Sequence, residues 1–181
     1  MPRIPHALLH KTYAISPLLP LLLRATRDLP SAITELRWLT SHICSTKPST
    51  TTTQQNRQLL RLCRRRERAE PLQYILGTQP FGDLEIKCRK GVLIPRPETE
   101  SYTQHLAELL QRGSAHDEMI KGIGLDFGRV NVLDLCSGTG CISLLLHHML
   151  LESGAGGRVK VVGVDISVSC MNNNVFFLIV I

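Results

Sequence analysis

Apolar positions change their spacing along this chain, and each spacing predicts a different kind of element. Residues 1 to about 70 read as helices. Ser16-Pro17 is a helix start, with Ser as N-cap and Pro at the first helical position, followed by Leu18, Leu19, Leu21, Leu22 and Leu23. Asp28 predicts the cap of a next helix with Pro30 in its first turn and Ile33, Leu36, Trp38, Leu39 and Ile43 on its apolar face. Ser45 to Gln55 is polar and low in complexity, which predicts a flexible loop. A basic helix is expected from about Asn56 to Ala69. Between Leu72 and Ile94 the pattern becomes that of a β-hairpin. Its first run is Gln73-Tyr74-Ile75-Leu76, and its second carries Leu84, Ile86 and Cys88 in alternation with polar residues. Lys90-Gly91 is a turn signal, and the prolines of Pro95-Arg96-Pro97 set the backbone before a helix. That helix spans roughly Glu98 to Arg112 and is expected to bury Tyr102, Leu106, Leu109 and Leu110. A polar connection from Gly113 to Gly128 leads to a last apolar block.

That block organises the chain. Val130-Asn131-Val132-Leu133-Asp134-Leu135 has the residues of a strand buried on both faces of a parallel sheet. Cys136-Ser137-Gly138-Thr139-Gly140 follows, and Ile142-Ser143-Leu144-Leu145-Leu146 resumes as a helix. Strand, glycine turn and helix together bring backbone N–H groups and a helix N-terminus to a nucleotide-like ligand. Gly138 and Gly140 reach backbone angles closed to other residues and lack a Cβ that would hold a ligand off. Arg158 to Val164 is a second strand, ending at Asp165 as the first ends near Asp134. A carboxylate there is placed to accept both hydroxyls of a ribose. A nicotinamide-binding unit is one alternative, although the third glycine of that fingerprint is missing and Asp165 lies beyond its usual spacing of about 20 residues.

Charge adds a second theme. The net charge of +6 points to an acidic or nucleic-acid-containing partner, a mitochondrial address, or simply a soluble basic surface. Arg57, Arg61, Arg64, Arg65 and Arg68 form a stripe on the basic helix, either a solvated face or a contact for an acidic or RNA-bearing partner. The stretch from Met1 to Arg27 holds Arg3, Lys11, Arg24 and Arg27 and no acid, the bias of a mitochondrial transit peptide. Pro2, Pro5, Pro17 and Pro20 oppose one long amphipathic helix there. No run approaches the roughly 20 apolar residues of a membrane helix. Cysteines at 44, 63, 88, 136, 141 and 170 form no CxxC pair, so reduced thiols are expected, with Cys136 and Cys141 as small buried packing residues and no metal site.

Three segments together resemble a known family. They are Glu70-Pro71-Leu72-Gln73-Tyr74-Ile75-Leu76-Gly77 with Phe81, then Leu93-Ile94-Pro95-Arg96-Pro97-Glu98-Thr99-Glu100, and the loop Asp134 to Gly140. They look like the HemK/PrmC family of S-adenosylmethionine-dependent methyltransferases, which modify the glutamine of the Gly-Gly-Gln motif in peptide chain release factors. The prolines and leucines between Met1 and Thr40 look like fungal mitochondrial members. The resemblance implies a helical substrate-recognition domain (1–70), a hairpin linker (71–97) and part of a Rossmann-like α/β methyltransferase domain (98–167). It implies that Cys136, Ser137, Gly138, Thr139 and Gly140 wrap the methionine end of the cofactor, that Asp165 holds the ribose diol and that Asp134 orients the loop. It puts Arg96 and Glu98 near the mouth of the site, where packing and capping at a helix start explain them equally well. The partner it implies is the release factor, with neither nucleic acid nor membrane required.

The family's Asn-Pro-Pro-Tyr motif is found nowhere in these 181 residues. An amide nitrogen is a poor nucleophile because its lone pair is delocalised. Positioning by that motif is the kind of effect worth about 7–11 kcal/mol of barrier. The chain alone is therefore expected to be inactive, which leaves a non-catalytic release-factor-binding module as the alternative. After Ser167 the chain also leaves the family pattern. Val168-Ser169 is what the intron donor GUAAGU encodes, so 168–181 is expected to be a translated intron or gene-model error. A strand at 130–135 without its second neighbour is expected to leave an apolar edge, and Val175 to Ile181 is itself aggregation-prone.

Overall fold

A cap set by Asp28 and a glycine turn at Gly82 show how closely local sequence fixes the elements in the computed structural model. It describes residues 4–46, 48–112, 130–154 and 159–165. The described residues form seven helices and four strands, a mixed α/β protein. They fall into two units, Met1–Gly77 and Thr78–Ile181.

The first unit is helical: α1 (His6–Ile15), α2 (Leu19–Thr26), α3 (Leu29–Thr46), α4 (Thr52–Glu67) and the short α5 (Leu72–Leu76). Asp28 caps α3 as expected, its carboxylate accepting the Ser31 N–H at 2.9 Å and the Ser31 hydroxyl at 2.7 Å. Those bonds hold the Asp28 carboxyl below its usual pKa. Ser16 accepts the Leu18 N–H at 3.3 Å, but the helix begins only at Leu19. Leu19, Leu22, Ala32, Leu39, Ile43, Leu62, Cys63, Leu72 and Ile75 form the core. Burial pushes the Cys63 thiol up to about 11.

Four expectations for this unit need correction. Gln73-Tyr74-Ile75-Leu76 is not a strand but lies in α5. Pro71 starts that turn, and Gly77, at φ +84°, stops it by donating its N–H to the Gln73 carbonyl. The non-helical stretch within Ser45 to Gln55 is shorter than expected: α3 runs to Thr46, α4 starts at Thr52, and 48–51 lie between them outside any helix. A capping box between Thr51 and Gln54 begins α4 inside that polar stretch. Trp38 is 54% exposed rather than packed. Its place on the inner face is taken by Glu35, whose carboxylate receives a two-pronged bond from Arg66, Nε to Oε2 at 2.8 Å and Nη2 to Oε1 at 2.9 Å. Finally, the basic stripe divides. Arg57, Arg61, Arg64 and Arg68 are exposed, whereas Arg65 turns back to grip Glu70 through Nε at 2.8 Å and Nη2 at 2.6 Å.

The second unit begins with a hairpin. β1 (Thr78–Phe81) runs antiparallel to β2 (Leu84–Lys87) around a Gly82-Asp83 turn. Phe81 and Ile86 pack with Cys141 and Leu145. α6 (Pro97–Arg112) follows, then β3 (Val130–Leu135), α7 (Cys141–Glu152) and β4 (Val159–Val164). β3 and β4 pair in parallel, with Asp134 opposite Gly163 and Leu135 opposite Val164. α7 supplies the crossover between them, the βαβ arrangement that parallel pairing demands. Val159 and Val161 are buried with Ala107, Leu146 and Leu150, with Val130 and Val132 packed beside them.

Two expectations fail here for one reason. β3 is not covered on both faces: Leu133 and Leu135 are 59% and 67% exposed, and the strand alternates instead. On α6, Tyr102, Leu106 and Leu109 are exposed, while Thr103 and Ala107 are the buried positions. Among the described residues α6 and α7 supply a single layer, which covers one face of a two-stranded sheet. The connection 113–128 and the tail 168–181 lie outside the described residues.

Candidate functional site

The loop after β3 is built from three residues in the left-handed region within five positions. They are Cys136 at φ +60°, Gly138 at φ +57° and Gly140 at φ +75°. Cys136 is a non-glycine residue there, and it is exposed, contrary to the packing role expected of it. Cys141, by contrast, is buried at the start of α7, and burial raises its thiol pKa.

Two hydrogen bonds hold the loop against the end of β4, and a third closes the turn within it. Ser137 donates its N–H to the Val164 carbonyl at 3.1 Å. Gly138 donates its N–H to Asp165 Oδ2 at 2.8 Å. Gly140 donates its N–H to the Ser137 carbonyl at 2.7 Å, which closes the turn. These N–H groups are thus used to shape the loop. Its preorganisation comes from the neighbouring strand.

The structure brings Asp165 and the glycine loop together, as the sequence of strands and turn predicted. Asp134 sits one strand position below the loop and accepts the Ser143 hydroxyl at 2.6 Å. Thr139 lies between the two glycines in the same turn. Arg96 and Glu98 are both exposed at the start of α6. The Arg96 carbonyl accepts the Glu100 N–H at 3.2 Å, and Glu98 lies in the first turn, where a carboxylate favours the helix N-terminus. Their placement is that of a helix start.

Two residues of the site escape sequence reasoning. Ser143 is the partner of Asp134 and is buried on the first turn of α7. Gly163 lies beneath the loop. A Cβ there would stand 3.1 Å from Ser143 Oγ and 3.2 Å from Ser137 Cβ, closer than such contacts ordinarily come. A glycine inside an otherwise β-branched strand is the available signal for such a close approach.

The geometry suits a nucleoside ligand. A Cβ added at Gly138 would meet nothing nearer than the Cys136 carbonyl at 3.9 Å. The glycine is therefore required by its φ, and the space above it is open to a ligand. A carboxylate offers roughly four acceptor positions, so holding Gly138 is compatible with receiving sugar hydroxyls.

Comparison with known proteins gives the same direction. The chain is 36% identical over 141 residues to the probable MRF1 mitochondrial N(5)-glutamine methyltransferase mtq1 of Schizosaccharomyces pombe, covering 78% of this chain and 42% of that protein. It is 37% identical over 148 residues to the mitochondrial MRF1 N(5)-glutamine methyltransferase MTQ1 of Saccharomyces cerevisiae, covering 82% and 41%. It is 37% identical over 112 residues to the release factor glutamine methyltransferase of Pasteurella multocida, covering 60% and 35%. The chain spans about two fifths of the length of the fungal relatives. No protein-family profile matches it. Among the described residues no helix is long and apolar enough to cross a membrane.

Proposed function

We propose that this chain, which belongs to the release factor glutamine methyltransferase family, carries the release-factor-facing and cofactor-binding portion of an S-adenosylmethionine-dependent protein methyltransferase. The observation that carries the cofactor reading is the Gly138 N–H to Asp165 contact at 2.8 Å. It joins a side-chain-free loop to a carboxylate at the tip of the adjacent parallel strand, the place where open α/β sheets take ligands.

In this reading Cys136, Ser137, Gly138, Thr139 and Gly140 bound the methionine end of the cofactor. Asp165 takes the ribose hydroxyls while it holds the loop. Asp134 acts through Ser143, fixing α7 beneath the turn. The cofactor itself supplies an electrophilic methyl group. The helical unit Met1–Gly77 is the portion that docks the release factor, with the second unit as the first half of a Rossmann-like domain. The substrate amide requires the Asn-Pro-Pro-Tyr segment, which these 181 residues do not contain. The chain by itself is accordingly expected to bind without transferring methyl.

The fungal relatives are named as mitochondrial, and we extend that location to this chain.

Calorimetric titration with S-adenosylmethionine and with NAD tests the cofactor reading. Binding of the former alone is the expected result; binding of NAD alone, or of neither, overturns it. A radiolabelled methyl assay with a mitochondrial release factor tests the catalytic half. Transfer above the no-enzyme blank would refute the inactivity of this chain.

A further inference from the structure

Away from the glycine loop, three potential metal ligands converge on the outer side of α7. Asp83, His148 and Glu152 each offer one ligand atom, and those atoms all lie within 4.8 Å of one another. We infer that they form a binding site for a borderline divalent transition-metal ion, with zinc as the best fit, clipping the β1–β2 turn to α7.

The helix supplies two ligands at i and i+4, which share a face. His148 Nε2 and Glu152 Oε1 stand 3.5 Å apart. That is long for a hydrogen bond. It is close to the separation of about 3.4 Å between ligand atoms around a tetrahedral zinc with bonds of roughly 2.0–2.2 Å. One imidazole nitrogen and two carboxylate oxygens make a mixed set suited to zinc and its neighbours, with one position left for water.

Asp83 arrives from the hairpin by a fixed route. Gly82, at φ +57°, packs so closely on α7 that a Cβ there would stand 2.6 Å from Leu145 Cδ1. Phe81, Ile86, Cys141 and Leu145 lock the same contact from below. Leu145, His148 and Glu152 follow one another at i, i+3 and i+7, along one stripe of α7. The turn that rests on Leu145 therefore holds the next residue, Asp83, beside His148. Closing the three atoms onto one ion takes about 1 Å of movement in side chains at the surface. A plain helix-surface ion pair between His148 and Glu152 gives Asp83 no role, and that difference makes the inference testable. It does not depend on the cofactor reading.

The test is titration of the chelator-treated, reduced full chain with zinc chloride by calorimetry, with cobalt(II) absorption as a second readout. One equivalent of zinc binds, and the melting temperature rises with zinc. Asp83→Asn, His148→Ala and Glu152→Gln each weaken binding by at least about tenfold. Cobalt gives ligand-field bands that are lost in His148→Ala. Circular dichroism of each variant without metal confirms that it remains folded, and the His148 ring nitrogen shifts on zinc addition in the wild-type protein. No binding by the wild type, or affinity unchanged by Asp83→Asn, overturns the site. So does a cobalt spectrum dominated by thiolate charge transfer and insensitive to His148→Ala.

Discussion

Glu35→Ala removes the acceptor of a two-pronged ion pair from the inside of the helical unit. The Glu35 and Arg66 side chains are only 12% and 17% exposed. Arg66 also donates Nη1 to the Glu70 carbonyl at 3.1 Å, so its guanidinium stays in place when Glu35 is truncated. A buried charge left without its partner costs about 3–5 kcal/mol. The unit Met1–Gly77 has a stability of about 4–12 kcal/mol at the usual value per residue. The single substitution therefore removes between a quarter and all of it. Arg66→Met on its own strands the carboxylate instead and costs a similar amount. The double variant Glu35→Leu with Arg66→Met replaces both charges by apolar groups and should lie within about 1–2 kcal/mol of the wild type. Urea unfolding measures all four proteins. Trp38, the only tryptophan, lies on α3 one turn after Glu35, so its fluorescence follows this unit. A cost below about 1 kcal/mol for both single variants, the range of an exposed pair, would refute the argument. So would a double variant as unstable as the sum of the singles.

Gly138→Ala places a non-glycine residue at φ +57° with no atom of the chain within 3.9 Å, so the fold should lose only about 1–2 kcal/mol. S-adenosylmethionine affinity should fall by at least about tenfold, because the methyl enters the ligand's space; unchanged affinity by calorimetry would count against the cradle. The Asp28 carboxyl has a folded pKa below 3.8, so its support of α3 is full above that value and is lost as pH falls through the lower one. Acid unfolding followed by circular dichroism should show the wild type and Asp28→Asn converging only at the acid end, and a constant difference would contradict this. Among the described cysteines, thiol labelling read by peptide mass spectrometry should modify the exposed Cys44 and Cys136 first, and Cys63, with its thiol near 11 and no exposed surface, only on unfolding. Rapid native labelling of Cys63 would show that the helical core opens more readily than its packing implies.

Residue chemistry alone was enough to single out the candidate site. Gly138 and Gly140 after an aliphatic run, with Asp165 at the end of the next run, announce a βαβ unit whose topology brings the three together. Caps at Asp28 and glycine turns are similarly local, since one side chain or one φ value sets them. Long-range pairing was out of reach of sequence spacing. Arg66 and Glu35 lie 31 positions apart, on helices whose facing sides emerge only from packing. Asp83 meets His148 because Gly82 admits Leu145, a contact that no periodicity encodes. Leu133 and Leu135 read as interior residues, but a residue's hydrophobicity states only a preference for burial. Whether a second layer covers them depends on which helices pack on that face of the sheet.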